Sequence, residues 1–486
     1  MSKDATSPRA KNTTLALLAL TQFVVVIDGS IVNVALPSIG QALHITQDSL
    51  SWVVNAYILT FGGFLLLGGR LADLLGRRRV FIIGIALFTL ASLAGGLAPN
   101  DVWLNTARAV QGLGAALASP AALSIVTTTF KEGSERNRAL AIWGAVAGAG
   151  GAAGVLLGGV LTQYLGWEWV LFVNVPIGAF ILWQAPLRLQ ESRSEADEKR
   201  FDILGTITVT AGLALLVYTV VDASSAGWSS TATLLRGAGA IVLLVAFVII
   251  EQRAASPLVP FSIFRLRTLR GANVVGLLVG MSLISMFFLI TLYLQQVLGF
   301  TAVQAGLAYL PLSVSIILAA TFASPLVTRL GFKTISILSL TLLAAGLFWF
   351  AQVSPDGSFV VDVLGPSILA GLGLGGALVS ITVAAVTGTT GQQAGLASGL
   401  INASQQIGGA LGLAIIASVA NASTDTALRN GTNTALALTG GFHDAFLVGG
   451  GIALLGVVAA AVLISSRDSR EHAHAARHDG VDASAR

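Results

Sequence analysis

Two ionisable side chains stand in runs that are otherwise apolar. Asp28 lies within "TQFVVVIDGSIVNVALP" (residues 21–37) and Arg108 opens "RAVQGLGAA". An aspartate near the centre of a membrane-spanning helix costs about 2.5–3.5 kcal/mol on insertion scales, so its retention calls for a compensating use. At 1.5 Å per residue, Asp28 falls about 15–18 Å from the outer end of its run, and Arg108 about 10 Å from the outer end of a run in the opposite direction. The two depths differ by less than an arginine's reach. Gly112, Ala115 and Ser119 share the helical face of Arg108, which lets a neighbouring helix approach the guanidinium. Two readings follow: an inert ion pair joining two helices, or a carboxylate that binds and releases a proton beside a cation. A buried pair is often no more stable than well-packed apolar residues, which favours the second reading.

Other polar groups surround these two. Thr21 shares the Asp28 face, while Gln22, Gly29 and Asn33 form the adjacent one, and Pro37 closes the pattern. Asn55, Tyr57, Gln111, Asn174, Asn402, Gln405 and Gln406 also lie at depth; about half should line a substrate cavity and the rest join helices. The cavity candidates are Gln22, Asn33, Asn55, Tyr57, Gln111, Asn174, Asn402 and Gln405.

Asp73 raises a different question, because it ends a helix where the dipole disfavours a negative charge. It calls for Arg77, or the N-terminus of another helix, as its partner. Gly69 would permit the approach and Gly76 the turn, making a cytoplasmic gate. Gly150, Gly154 and Gly158, spaced four apart, form a packing face. The three histidines of "EHAHAARHD" read as a solvated tail rather than a metal site.

The elements that hold these residues are membrane helices. Of 486 residues, 55% are hydrophobic and only 10% charged, and the mean hydropathy is +0.83, far from a soluble composition. Runs of about 20 apolar residues predict spans at 14–38, 49–70, 79–98, 102–130, 138–162, 168–187, 203–222, 232–250, 271–298, 302–328, 333–351, 362–388, 394–420 and 441–465. With both termini inside, all but three of the 27 Lys and Arg residues fall in inner segments, as the positive-inside rule requires. Arg236 and Arg429 fall outside, and Arg108 falls within a span. The net charge of +4 therefore reports topology, not affinity for nucleic acid. Lys3, Arg9 and Lys11 precede the first span, whose apolar region of about 25 residues is too long for a signal peptide. The chain has no cysteine, which excludes disulfide and thiolate chemistry.

The chain also echoes itself. "RLADLLGRRRV" after the second span matches "LVTRLGFKTI" after the tenth, with Gly76 against Gly331 and Arg78 against Lys333. "QGLGAAL" in the fourth matches "AGLGLGG" in the twelfth at nearly the same spacing, as in a duplicated transporter. A membrane-embedded enzyme would need a cluster of His, Asp or Glu at one face or a soluble catalytic domain, and the sequence has neither.

Together, "IDGSIVNVALP", "GGRLADLLGRRRV", "RAVQGLGAA", "WEWVLFVNVPIG" and "AGLASGLINASQQIGGALG" resemble the fourteen-helix drug:proton antiporter branch of the major facilitator superfamily. The resemblance covers nearly the whole chain. It implies an all-α polytopic membrane protein of two six-helix bundles, 14–190 and 270–466, with two extra helices in 191–269 and cytoplasmic tails at 1–13 and 467–486. It also implies a monomer in the cell membrane that exports small lipophilic compounds by alternating access. The proton gradient, not a cofactor, would drive it. Asp28 would be the protonation site, Arg108 its partner, and Asp73 with Arg77 the inner gate. A carrier of one specific metabolite is the alternative. The chain departs from the branch at Val155, where the antiporter motif has proline, at Leu74 and Gln405, where basic residues are usual, and at Glu168, where arginine is usual. No acid lies deep in the last six spans, which points to neutral or singly charged substrates.

Overall fold

The computed structural model describes residues 8–130, 134–192, 202–254, 257, 259, 261–389, 391–471 and 473. Among them every regular element is helical. The long helices are α1 (Pro8–Ala42), α2 (Trp52–Leu75), α3 (Arg77–Gly96), α4 (Asp101–Thr129), α5 (Ser134–Tyr164), α6 (Asn174–Arg188), α7 (Ile203–Ala226) and α8 (Thr231–Arg253). They continue as α9 (Arg267–Leu292), α10 (Leu310–Leu330), α11 (Phe332–Phe350), α12 (Gly365–Val386), α13 (Gly391–Arg429) and α14 (Thr434–Leu463). Among the described residues, eleven helical stretches are long and apolar enough to cross a membrane, and three shorter apolar stretches lie in α2, α5 and α7.

Proline decides where the helices depart from the hydropathy pattern. The expected sixth span begins as a short helix, Trp169–Phe172, interrupted at Val173 ahead of Pro176. The expected tenth breaks between Ala302–Ala308 and α10, ahead of Pro311. Each proline lacks the N–H that would continue the ladder. Pro37, by contrast, lies inside α1, which runs on to Ala42; proline is tolerated in a spanning helix where neighbours satisfy the freed carbonyl.

The chain forms two compact units. The first gathers the residues up to Ala214, with segments beginning at Leu243 and Thr301. In it α4 packs along both α2 and α3, and α1 packs along α5. Glycine makes these approaches possible, since a Cβ on Gly114 would stand 2.5 Å from the backbone nitrogen of Phe88, and one on Gly158 would stand 2.6 Å from the carbonyl of Ile31. A Cβ on Gly154 would meet the Ser30 hydroxyl and stand 3.0 Å from the carbonyl of Ile27, so the face of small residues on α5 seats α1.

The second unit repeats the pattern. Here α12 packs along α10 and α11, and α9 along α13. A Cβ on Gly371 would meet the Leu312 carbonyl at 2.6 Å, and one on Gly373 the Ser339 carbonyl at 2.6 Å. The central pair α7 and α8 contributes residues to both units. Its Arg236 forms an ion pair with Asp222 and lies over the Tyr218 ring, 5.1 Å from the centroid. An arginine that breaks the charge rule thus has a local partner.

Candidate functional site

Asp28, on α1, is fully buried, and N–H donors converge on both of its oxygens. Arg108 Nη1, from α4, donates to Oδ2 at 2.6 Å. Gln111 Nε2, one turn further along α4, donates to Oδ1 at 2.6 Å, and Asn174 Nδ2, from the first turn of α6, donates to Oδ1 at 2.7 Å. The guanidinium is itself held by further contacts. Its Nε donates to the Val53 carbonyl at 3.1 Å, Nη1 also donates to Gln111 Oε1 at 2.8 Å, and its plane lies over the Tyr57 ring, 4.4 Å from the centroid. Tyr57 in turn donates to the Val25 carbonyl at 3.4 Å. Four helices therefore fix one carboxylate, and every hydrogen bond it receives comes from a nitrogen donor. A buried pair of this kind becomes costly when only one member is removed, by about 3–5 kcal/mol.

The structure brings Asp28, Arg108, Gln111, Asn174 and Tyr57 into one network and leaves the other candidates apart from it. Asn33 donates to the Gly29 carbonyl of its own helix at 3.0 Å, while its Oδ1 has no hydrogen-bond partner. Asn55 is fully buried with neither amide atom hydrogen-bonded. Gln22 accepts a 3.4 Å bond from Ser119. Asn402 is exposed and donates to the Ser398 carbonyl at 3.0 Å. Gln405 is half-buried, and its backbone carbonyl lies against Gly280.

At the other end of α2 the chain turns at Gly76, whose φ is +110°, a conformation that suits glycine. The close approach between α2 and α4 is made by Gly68, against the Ala116 carbonyl. A Cβ on Gly69 would make only an ordinary contact, 3.7 Å from Pro120 Cβ. The Arg77 N–H donates to the Ser192 carbonyl at 3.0 Å, and the Arg78 N–H donates to Glu191 Oε1 at 3.2 Å. Glu191 also lies 3.7 Å from Arg79 Nε, so a carboxylate caps the positive end of α3. The Asp73 side chain, and the histidines of the C-terminal tail, lie outside the described residues.

Sequence reasoning missed two members of these clusters. Ser92 is fully buried on α3 and touches both Gln111 and Asn174, but a lone serine in a spanning helix gives no signal. Glu191 could have been found, since it is the first acid after the sixth span and faces a cluster of arginines.

Comparison with known proteins adds to this geometry. A family model described as Major Facilitator Superfamily matches residues 18–413. The cephamycin export protein CmcT of Amycolatopsis lactamdurans is 43% identical over 86% of this chain and 87% of its own length. The puromycin resistance protein pur8 of Streptomyces alboniger is 38% identical over 93% of this chain and 91% of its own. Among solved structures, the POT family transporter PepTSo has a TM-score of 0.69 at 16% identity and covers 96% of this chain and 98% of its own, a likeness of fold.

Proposed function

Because the chain belongs to the Major Facilitator Superfamily, we propose that it is a proton-driven exporter of small lipophilic natural products of the antibiotic kind, with Asp28 carrying the proton. The observation that carries this reading is the buried carboxylate held by Arg108, Gln111 and Asn174. A proton on Oδ1, which already accepts two N–H bonds, must open one of them, and a proton on Oδ2 removes the charge that holds the Arg108 guanidinium. Protonation is thereby tied to a rearrangement of α1 against α4 or α6, and a change in helix packing is what alternating access needs. The names of relatives that export cephamycin or confer resistance to puromycin support the substrate class.

In this reading the fourteen long helices are fourteen spans with both termini cytoplasmic. Residues 14–190 and 270–466 form two six-helix bundles, 191–269 holds the central pair, and the protein acts as a monomer in the cell membrane without a cofactor. Asp73, Arg77, Gly69 and Gly76 belong to the cytoplasmic gate. Gln22, Asn33, Asn55, Asn402 and Gln405 remain the substrate-facing candidates.

The test uses inside-out vesicles carrying the full chain, energised by an imposed pH gradient and offered puromycin or a cephamycin. The parent should concentrate drug, and Asp28→Asn should bind drug yet fail to concentrate it. Gradient-driven accumulation by Asp28→Asn at the parental rate would remove Asp28 from the mechanism.

A further inference from the structure

We infer that Ser92 is a positioning residue for the Asp28 site: its hydroxyl clamps the two amides on Oδ1 and so directs the incoming proton to Oδ2. This rests on the reading of Asp28 as the proton carrier.

The Ser92 hydroxyl is fully buried and donates to the Leu171 carbonyl at 2.8 Å. A carbonyl can only accept, so that bond fixes the direction of the hydroxyl proton. The remaining lone pairs of Oγ then face Gln111 Nε2 at 3.1 Å and Asn174 Nδ2 at 3.0 Å. Each primary amide has two N–H groups, and each spends one on Ser92 and one on Asp28 Oδ1. Asp28 Oδ1, Gln111 Nε2, Ser92 Oγ and Asn174 Nδ2 therefore close a four-membered ring of hydrogen bonds. The ring also fixes which way the amides point, since reversing either would set its oxygen against both a carboxylate and the Ser92 oxygen.

The two oxygens of Asp28 thus differ in what a proton would meet. At Oδ1 it would oppose two N–H groups that are each anchored a second time by Ser92. At Oδ2, which accepts a single N–H from Arg108, a lone pair stays open to the proton, and the guanidinium keeps its bonds to Gln111 Oε1 and the Val53 carbonyl when the loss of charge weakens that contact. Oδ2 therefore takes the proton, and Oδ1 stays a carbonyl acceptor of two hydrogen bonds. Arg108 is the group whose hold on Asp28 the lost charge weakens. Among the described residues, the ionisable side chains facing Asp28 from the helices packed on α1 are Arg108 and Tyr57; α5 adds none at that depth, while α3 and α6 supply Ser92 and Asn174.

The experiment is infrared difference spectroscopy on the purified full chain titrated with acid, which needs no transported compound. The Asp28 carboxyl band is the one that Asp28→Asn lacks. In the parent its C=O stretch should lie at the low frequency of a hydrogen-bonded carbonyl. Ser92→Ala should raise that frequency and move the midpoint of the titration to higher pH, by about threefold or more in proton affinity. Ser92→Thr, which keeps the hydroxyl, should return both toward the parent. An unchanged midpoint in Ser92→Ala, or a threonine variant that behaves like alanine, overturns the clamp. Should the alanine variant not fold, a parental band at the frequency of a free carbonyl overturns it as well. If no band is specific to Asp28 at any pH, it is the proton-carrier reading that fails, and this outcome is separate from the others.

Discussion

The fourth helix of each half, α4 in the first unit and α12 in the second, shares its packing with its counterpart and differs in its chemistry. Gly112 and Gly114 fit α4 against backbone atoms of α2 and α3, at Tyr57 and Phe88. Gly371 and Gly373 fit α12 against Leu312 of α10 and Leu343 of α11. In that register Arg108 corresponds to Ser367 and Gln111 to Ala370, while Ser92 on the third helix corresponds to Leu347 on the eleventh. The scaffold is duplicated and the charge is not. Contacts of glycine against backbone do not depend on the side chains one turn away, so one half could acquire a buried carboxylate and its donors without disturbing the shared geometry.

The turns before the third helix of each half show the same division. Gly76 and Gly331 both have positive φ, +110° and +83°, immediately before α3 and α11. The N–H two residues later is capped in each case by a side chain from beyond the sixth helix of its own half: Glu191 accepts from Arg78 N–H at 3.2 Å, and Ser469 accepts from Lys333 N–H at 3.1 Å. Ser466 adds a bond from Lys333 Nζ at 2.9 Å. One cap is ionic and the other neutral, so only the first should respond to salt.

The largest expected effect tests the shared part. Gly114→Leu and Gly373→Leu should both abolish folded protein in the membrane, because each adds bulk where even a Cβ meets backbone at 2.5 Å or less. Fluorescence-detected size exclusion reads this, and a monodisperse Gly373→Leu protein would show that the second half lacks the tight scaffold. Next in size, Arg108→Ala should lower stability by about 3–5 kcal/mol at neutral pH by stranding a buried carboxylate. Adding Asp28→Asn should recover much of that loss, whereas Ser367→Ala at the matching position should cost about 1 kcal/mol or less. Thermal melting in detergent compares the three.

The caps should give smaller effects. Glu191→Ala should destabilise by about 1–2 kcal/mol at low salt, and the difference from the parent should shrink at high salt. Ser469→Ala should cost about 0.5–2 kcal/mol with no salt dependence. Equal salt dependence of the two would end the distinction between an ionic and a neutral cap. Smallest of all, Asn402→Ala should leave stability within about 0.5 kcal/mol, because its amide is exposed and bonds only its own helix.

The sequence by itself determined that the chain is a helical membrane protein, where nearly every long helix lies, and that it repeats. Apolar runs of spanning length and a one-sided distribution of Lys and Arg carry that information locally, without reference to any partner. It also singled out Asp28 and Arg108, because a charge in an apolar run is conspicuous whatever surrounds it. The tertiary structure alone decided that Gln111 and Asn174 bind Asp28 while Asn33, Asn55, Asn402 and Gln405 do not. An amide carries the same cost and the same donors at any buried position, so its partner is set by which helix face meets which, a non-local fact. Ser92 and Glu191 stayed hidden for the same reason. A serine can satisfy itself within its own helix and a glutamate beside a loop can face solvent, so only the packing of α3 against α6 and the return of the chain past Gly76 show what they hold.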